Sequence, residues 1–346
     1  MALIPVANPP NPWSSTDVEW IGPPPTAKLQ IYLDHTQEIL ARNDSPDLPF
    51  TWSLNPYRGC MHGCAYCYAR PSHEYLSFGA GTDFERRIVI KPDAARLLAR
   101  TFERPRWQGE LILMSGNTDC YQPLEAAWKL TRACLEVCLE YRNPVAIITK
   151  APLVERDADL LVRLNAVACA PVTISIPFAD ADQARAMEPT VPPPARRFET
   201  IRRLAEAGVP VGVNVAPVIP GLSDHQVVEV LERAREAGAT FAGTTMLRLP
   251  GPVASIFGER VRAAFPDRAE RILHRVQEVR GGKLNVSEFG KRMRGQGVYA
   301  DAIHLLFQTT ARRLGYVDHP RPAEPSTFRR PGEGQAAVQL PLFGLA

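Results

Sequence analysis

Apolar residues along the chain fall into short, nearly unbroken runs, separated by longer stretches in which they recur every three or four positions. The runs at 110–114, 145–149, 172–177, 209–216 and 240–247 predict strands, and a weaker one leads into Asn55. The spaced stretches at 93–102, 124–141, 154–165, 195–207 and 224–237 predict helices. Strands that are apolar throughout belong in parallel sheets covered on both faces, because a sheet facing water on one side would alternate. Gly208 and Gly238 each close a helix just before the next strand. This alternation implies right-handed βαβ units, hence an open parallel sheet or a partial or full barrel. Ligands of such folds gather at the carboxyl ends of the strands, so chemistry is expected in the loops that follow them. Residues 252–315 read as mainly helical, either a cap on the barrel or a small second unit.

Composition changes this picture at the two ends. Residues 1–25 hold seven prolines, which predicts a disordered lead-in over 1–28. From about Asp318 the chain is rich in Pro, Gly and Arg, which predicts a flexible tail over 317–346. The 346 residues are 45% hydrophobic, enough for a sizeable core, yet no apolar run is long enough to span a membrane. No charged start followed by an apolar run marks a secretory signal. Seven cysteines, an odd number in a chain too long to need disulfide staples, suggest reduced thiols or a metal centre in a cytoplasmic protein. The net charge of +3 argues for no partner. Its distribution does: residues 271–330 carry 12 Lys and Arg against 5 Asp and Glu.

The sharpest motif is Cys60-Met61-His62-Gly63-Cys64-Ala65-Tyr66-Cys67. Thiolates favour soft iron centres, and three on one tight loop can hold three corners of an iron–sulfur cube, leaving one iron open to an outside chelator. Gly59 and Gly63 permit the turns that wrap the loop. A structural zinc site is an alternative, with His62 or His73 as fourth ligand. Core thiols or a redox pair are others.

The run from Asn55-Pro56-Tyr57-Arg58-Gly59-Cys60 to Cys67-Tyr68-Ala69-Arg70, after the first strand of the pattern, resembles the radical S-adenosylmethionine superfamily. More narrowly it is similar to the group around spore photoproduct lyase, with the likeness spanning roughly residues 50–250. The resemblance implies an α/β fold, a partial (β/α)6 barrel of parallel strands with a C-terminal helical extension. On that basis residues 29–250 form the core and 251–316 the extension. It also implies a [4Fe-4S] cluster on Cys60, Cys64 and Cys67, with S-adenosyl-L-methionine on the open iron. A donor such as flavodoxin or ferredoxin would reduce the cluster, and a 5′-deoxyadenosyl radical would abstract hydrogen from the substrate. Tyr66 takes the place of an aromatic near the adenine. Ser115, Gly116, Asn117, Thr118 and Asp119 match the turn that receives the methionyl amino group. Lys150 matches a cofactor-reaching lysine, and Ser175 a serine near the ribose or carboxylate. Arg197, in a region that supplies a carboxylate-binding arginine, and Asn214, near adenine contacts, complete the set. Strand alternation should turn Ser175 into the barrel, opposite Ile174 and Ile176.

Two features depart from that pattern or extend it. Gly116 stands where the lyase group has its hydrogen-returning cysteine. Cys120 is either a shifted substitute or an inert buried thiol, while Tyr66 and Tyr68 keep a Tyr-Cys-Tyr arrangement associated with radical relay. Cys134, Cys138 and Cys169 read as core. Lys291, Arg292 and Arg294, then Arg312, Arg313, Arg329 and Arg330, suggest contact with DNA or another nucleic acid. The closing Gln339, Leu340, Pro341, Leu342 and Phe343 resemble the peptide by which bacterial repair proteins bind the sliding clamp. The expected function is a radical enzyme in DNA repair or modification. Its rivals are a radical enzyme acting on a peptide or small molecule, and a non-catalytic metal-stabilised module that binds nucleic acid or clamp.

Overall fold

In chain order the strands are β1 (Gln30–Leu33), β2 (Leu40–Arg42), β3 (Trp52–Leu54), β4 (Tyr57–Arg58) and β5 (Arg87–Ile90). They continue with β6 (Ile112–Met114), β7 (Val145–Thr149), β8 (Val172–Ser175), β9 (Val211–Val218) and β10 (Phe241–Met246). A computed structural model describes residues 28–332. The expected lead-in, apart from Lys28, and the peptide at 339–343 lie outside the described residues. The larger sheet runs β10-β9-β8-β7-β6-β3-β2. β3, β6, β7, β8, β9 and β10 pair in parallel, while β2 joins the edge antiparallel. This is the partial (β/α)6 barrel expected from the sequence. Its outer face packs Ile112, Met114, Val145, Ile147, Val172, Ile174, Val211 and Val213 against helices.

The helices form for local reasons. Val227–Glu236 buries Val227, Val230, Leu231 and Ala234, one stripe at helical spacing. It ends at Gly238, whose φ of +103° needs glycine and whose added Cβ would lie 2.7 Å from that of Ala205. One expectation changes: the single helix over 124–141 is two, Glu125–Trp128 and Leu130–Glu140. Lys129, at φ +53°, breaks it. The buried Glu125 carboxylate then accepts from the Thr131 and Arg132 amides at 3.0 and 3.3 Å, capping the second helix. Arg156 and the Tyr57 hydroxyl hold that carboxylate from the other side.

A second, smaller sheet, β1-β5-β4, escapes sequence reading because its runs are short. It braces the cysteine loop, since β4 leads straight into Gly59 and the Cys60 amide donates to Phe84 O at 2.9 Å. The C-terminal extension holds Val253–Ala264, Ala269–Glu278, Lys291–Arg294 and Val298–Arg313. Residues 317–332, read from the sequence as the start of a flexible tail, instead pack across the amino-end face of the barrel. Val317 bridges to Phe241, Phe328 lies 5.7 Å from Phe102 and 6.3 Å from Tyr141, and Arg330 donates to the Arg104 and Trp107 carbonyls. The aromatic pocket, rather than composition, decides this segment. No described helix is long and apolar enough to cross a membrane.

Candidate cluster and cofactor site

The loop carrying Cys60, Cys64 and Cys67 leaves the end of β4 and is wound by backbone contacts. Gly63 N donates to Cys60 O, and Cys67 N to Cys64 O. Gly59, at φ +77°, has its Cβ position 2.8 Å from both His73 and Phe84 O, so no larger residue fits there. Beneath the loop lies Arg70, fully buried. Its guanidinium donates to the carbonyls of Gly63, Cys64, Ala80 and Gly81 and to Glu85 at 2.5 Å. One side chain thus satisfies two carbonyls of the cysteine loop and two of the segment facing it.

The loop after β6 closes the other side. Ser115 sits at φ +86°, a region a serine enters only when held, and its hydroxyl accepts from Cys120 N at 3.0 Å. Asn117 N donates to Asn55, Thr118 to Gly59 O, and the Tyr68 hydroxyl to Gly116 O at 2.6 Å. A Cβ on Gly116 would lie 3.2 Å from that of Ser53, so the turn is closely backed. Asp119 accepts from Thr149 at 2.6 Å and from Lys150 N at 2.8 Å, and lies 3.3 Å from His62 Nδ1. Burial alone would raise its pKa, yet the His62 charge and these donors bring it down to about 2. Burial likewise opposes charge on His62, but Cys60 and Asp119 lift it to about 10.

The sign of the Asp119 effect gives a prediction. Its folded pKa lies below the unfolded value near 4, so its stabilisation is complete above about pH 4 and is lost as pH falls toward 2. Urea titrations of the metal-free protein should show wild type more stable than Asp119→Asn at pH 6. That gap should shrink between pH 4 and pH 2; a constant gap would contradict the reading.

Glu188 gathers the third group. This fully buried carboxylate accepts from the Tyr66 hydroxyl, pairs with Arg197 at 2.5 Å, and lies 4.0 Å from Lys150 Nζ. Arg197 also donates to Ser175 O at 2.9 Å, and Lys150 lies 5.7 Å from the Tyr66 ring. Burial and Glu188 push the Tyr66 phenol well up, so it stays a proton-bearing donor. Tyr66, Lys150, Ser175 and Arg197, scattered in sequence, therefore meet beside Cys64. Ser175 lies between Ile174 and Ile176, both in the outer core, and so faces the interior. Asn214 follows the same rule on β9, between Val213 and Val215.

Whether the thiols suit an iron–sulfur cube follows from their surroundings. All three are free, and each of Cys64 and Cys67 is raised first by burial and then in part by its thiol neighbours, so they share one pocket. Among the described residues no three His, Cys, Asp or Glu side chains are set around a single ion. Thiols bound to different corners of a cube need not be so arranged. His73, a zinc candidate, gives Nε2 to Arg87 O and packs its ring on Phe78 and Phe84. The residues fit a cluster.

Of the two readings of Cys120, its surroundings favour the inert buried thiol. It is fully buried in the core between sheet and helices, among Leu54, Met114 and Cys134, and burial raises its thiol well above the usual range. Cys134 and Cys138 share that core; Cys169 is buried as well. No local pattern in the sequence marks Glu188 as a hub, Arg70 as the loop's anchor, or Arg248 as a neighbour of Tyr68.

Fold and site together define a parallel partial-barrel enzyme whose trithiolate loop sits at the mouth. Residues 54–234 match the model of the radical SAM superfamily. The chain belongs to that superfamily, and its cofactors are a [4Fe-4S] cluster and S-adenosylmethionine. An uncharacterized protein of Mycobacterium tuberculosis is 34% identical over 226 residues, 65% of this chain and 66% of that protein. One from Methanocaldococcus jannaschii is 29% identical over 175 residues, 51% of this chain and 63% of its own length. The match thus spans just under two thirds of either relative. Among solved structures, a spore photoproduct lyase variant superposes with TM-score 0.54 at 15% identity, covering 83% of this chain and 80% of that one. Another, with bound AdoMet and dinucleoside spore photoproduct, gives 0.51 at 18% identity, covering 83% and 78%. Likeness at such identity shows the fold alone.

Proposed function

We propose that this radical SAM enzyme repairs or modifies nucleic acid, DNA foremost. When bound, the cluster and S-adenosylmethionine supply one-electron cleavage of the sulfonium–carbon bond and a carbon radical for hydrogen abstraction. Cys60, Cys64 and Cys67 would hold the cluster. Arg197 and Lys150 would hold the cofactor's carboxylate, the turn from Ser115 to Asp119 its amino group, and Tyr66 and Asn214 the adenosine side. Tyr68, half-exposed beside Cys67, would face the substrate.

The observation that carries the substrate class is where the basic segment lies. Lys291–Arg294 is pinned to the carboxyl end of β10: Arg280 donates to Lys291 O at 3.0 Å and to the carbonyls of Met246 and Leu247. Lys291 and Arg294 are exposed there, and Arg292 stacks 4.5 Å from the exposed Phe289 ring. Cations interleaved with an aromatic ring suit a strand with splayed bases. Arg312, Arg313, Arg329 and Arg330 lie toward the amino end of the barrel and are not part of this surface. Anisotropy with a labelled single-stranded oligonucleotide tests the reading. Affinity should fall steeply between 50 and 200 mM salt, by about tenfold or more. Salt-independent or absent binding would overturn it.

A second contact is proposed for the tail. The tethering peptide would be Gln339, Leu340, Leu342 and Phe343, which resemble the clamp-binding sequence. Adjacent apolar anchors on a linker are what a preformed pocket captures. Pull-down with purified bacterial sliding clamp should succeed with wild type and fail with Leu342→Ala/Phe343→Ala; equal capture removes the idea.

A further inference from the structure

Arg248 is the sunken charge that the site described so far does not use. It follows β10 by two residues and therefore stands at the barrel mouth. Its Nη1 meets only the Met293 sulfur, at 3.7 Å, and its guanidinium lies 5.5 Å from the Tyr68 ring centre. Nε is buried and has no hydrogen-bond partner, and no carboxylate comes within 4 Å, among the described residues. Asp47, an acid whose charge acts on Arg248, is held by Arg292 at 2.7 Å. Burial, with Arg292 beside it, presses the Arg248 pKa below the usual arginine value.

Three fully buried arginines show how oxygen acceptors settle a guanidinium here, although Nε of Arg197 and of Arg280 is without a partner as well. Arg70 has five acceptors, Arg197 a carbonyl and a carboxylate, and Arg280 three carbonyls. Arg248 has one soft sulfur and a like charge for company. A half-buried cation left so incomplete costs stability unless an anion completes it. The planar fork of a guanidinium fits two oxygens of a phosphate, and the Tyr68 ring beside it supplies a surface for the attached base.

We propose that Arg248 receives a phosphate group of the substrate at the rim of the barrel, next to Tyr68. The inference rests on the nucleic-acid reading for the source of that phosphate, a backbone phosphodiester, with a free nucleotide as the other source.

The test uses the full chain and a fluorescein-labelled single-stranded oligonucleotide, titrated from 20 to 200 mM NaCl. Arg248→Gln should weaken binding about tenfold and lower the salt slope by about 0.7, the share of one phosphate contact on a single strand. Arg248→Lys, which keeps the charge and is the milder change to the fold, should regain the slope but only part of the affinity. If Arg248→Gln matches wild type in both quantities, the proposal fails. If wild type itself binds no oligonucleotide, the nucleic-acid reading falls and the phosphate site is judged separately. The Arg248 Nε–H resonance, assigned by its loss in Arg248→Gln, is then followed during titration with inorganic phosphate and adenosine monophosphate. A saturable shift with either supports the site. No shift, or a shift only with an acidic peptide, overturns it.

Discussion

Arg70→Met should leave a protein that folds poorly and fails to retain iron. The change removes a guanidinium that is 0% exposed and holds four backbone carbonyls, two of them, Gly63 and Cys64, within the thiol loop itself. It also strands Glu85, whose partner at 2.5 Å disappears. Breaking a buried ion pair by deleting one member costs roughly 3–5 kcal/mol, and unsatisfied buried carbonyls add to that. Methionine refills most of the volume, so the loss comes from the polar contacts. Urea titration of the metal-free protein measures the first effect, and iron content after anaerobic reconstitution the second. Arg70→Lys should recover little of either, since one ammonium cannot reach acceptors spread over both sides of the loop. Normal iron content in Arg70→Met would show that the loop holds its shape without this anchor.

The second large effect is expected at Glu188. Glu188→Gln keeps the shape but leaves the buried Arg197 and the half-buried Lys150 as neighbouring cations without their shared anion. Stability of the metal-free chain should fall by about 3 kcal/mol. The amide can still accept from Tyr66, so that hydroxyl stays roughly in place. Arg197, however, is aimed by Glu188 on one side and by the Ser175 carbonyl on the other. With half of that hold gone, S-adenosylmethionine should bind at least tenfold more weakly, about 1.4 kcal/mol. Calorimetric titration of the cluster-loaded protein reads this directly. Glu188→Asp, which keeps the charge at a shorter reach, should lie between the two; unchanged affinity in Glu188→Gln would separate Arg197 from cofactor binding.

How much of this was legible in the chain depends on the range of the forces involved. The parallel strands were, because burial on both faces writes unbroken apolar runs such as Val145–Thr149. The cysteine loop was, because its ligands are neighbours in sequence. Alternation on β8 placed Ser175 on the interior face for the same local reason. The Glu188 hub was not, since its contact with Tyr66 spans 122 residues and no periodicity announces it. Nor was the break at Lys129, where a buried carboxylate overrides a good helical pattern. The segment after 317 misled through its proline and glycine content, whereas Phe328 finding Phe102 and Tyr141 fixed it. Arg248 looked like one arginine among many; its place at the barrel mouth beside Tyr68, with a sulfur as its hydrogen-bond acceptor, distinguishes it.

The proposed chemistry requires three neighbouring thiols to hold an iron–sulfur cube that serves S-adenosylmethionine. Anaerobic reconstitution, followed by metal and sulfide analysis and by dithionite-driven assay for 5′-deoxyadenosine, tests it most directly. Wild type should carry about four irons and four sulfides per chain and release the nucleoside, and the Cys60→Ala/Cys64→Ala/Cys67→Ala protein should do neither. Stoichiometric zinc in place of iron, or a loaded cluster that never cleaves the cofactor, would contradict it.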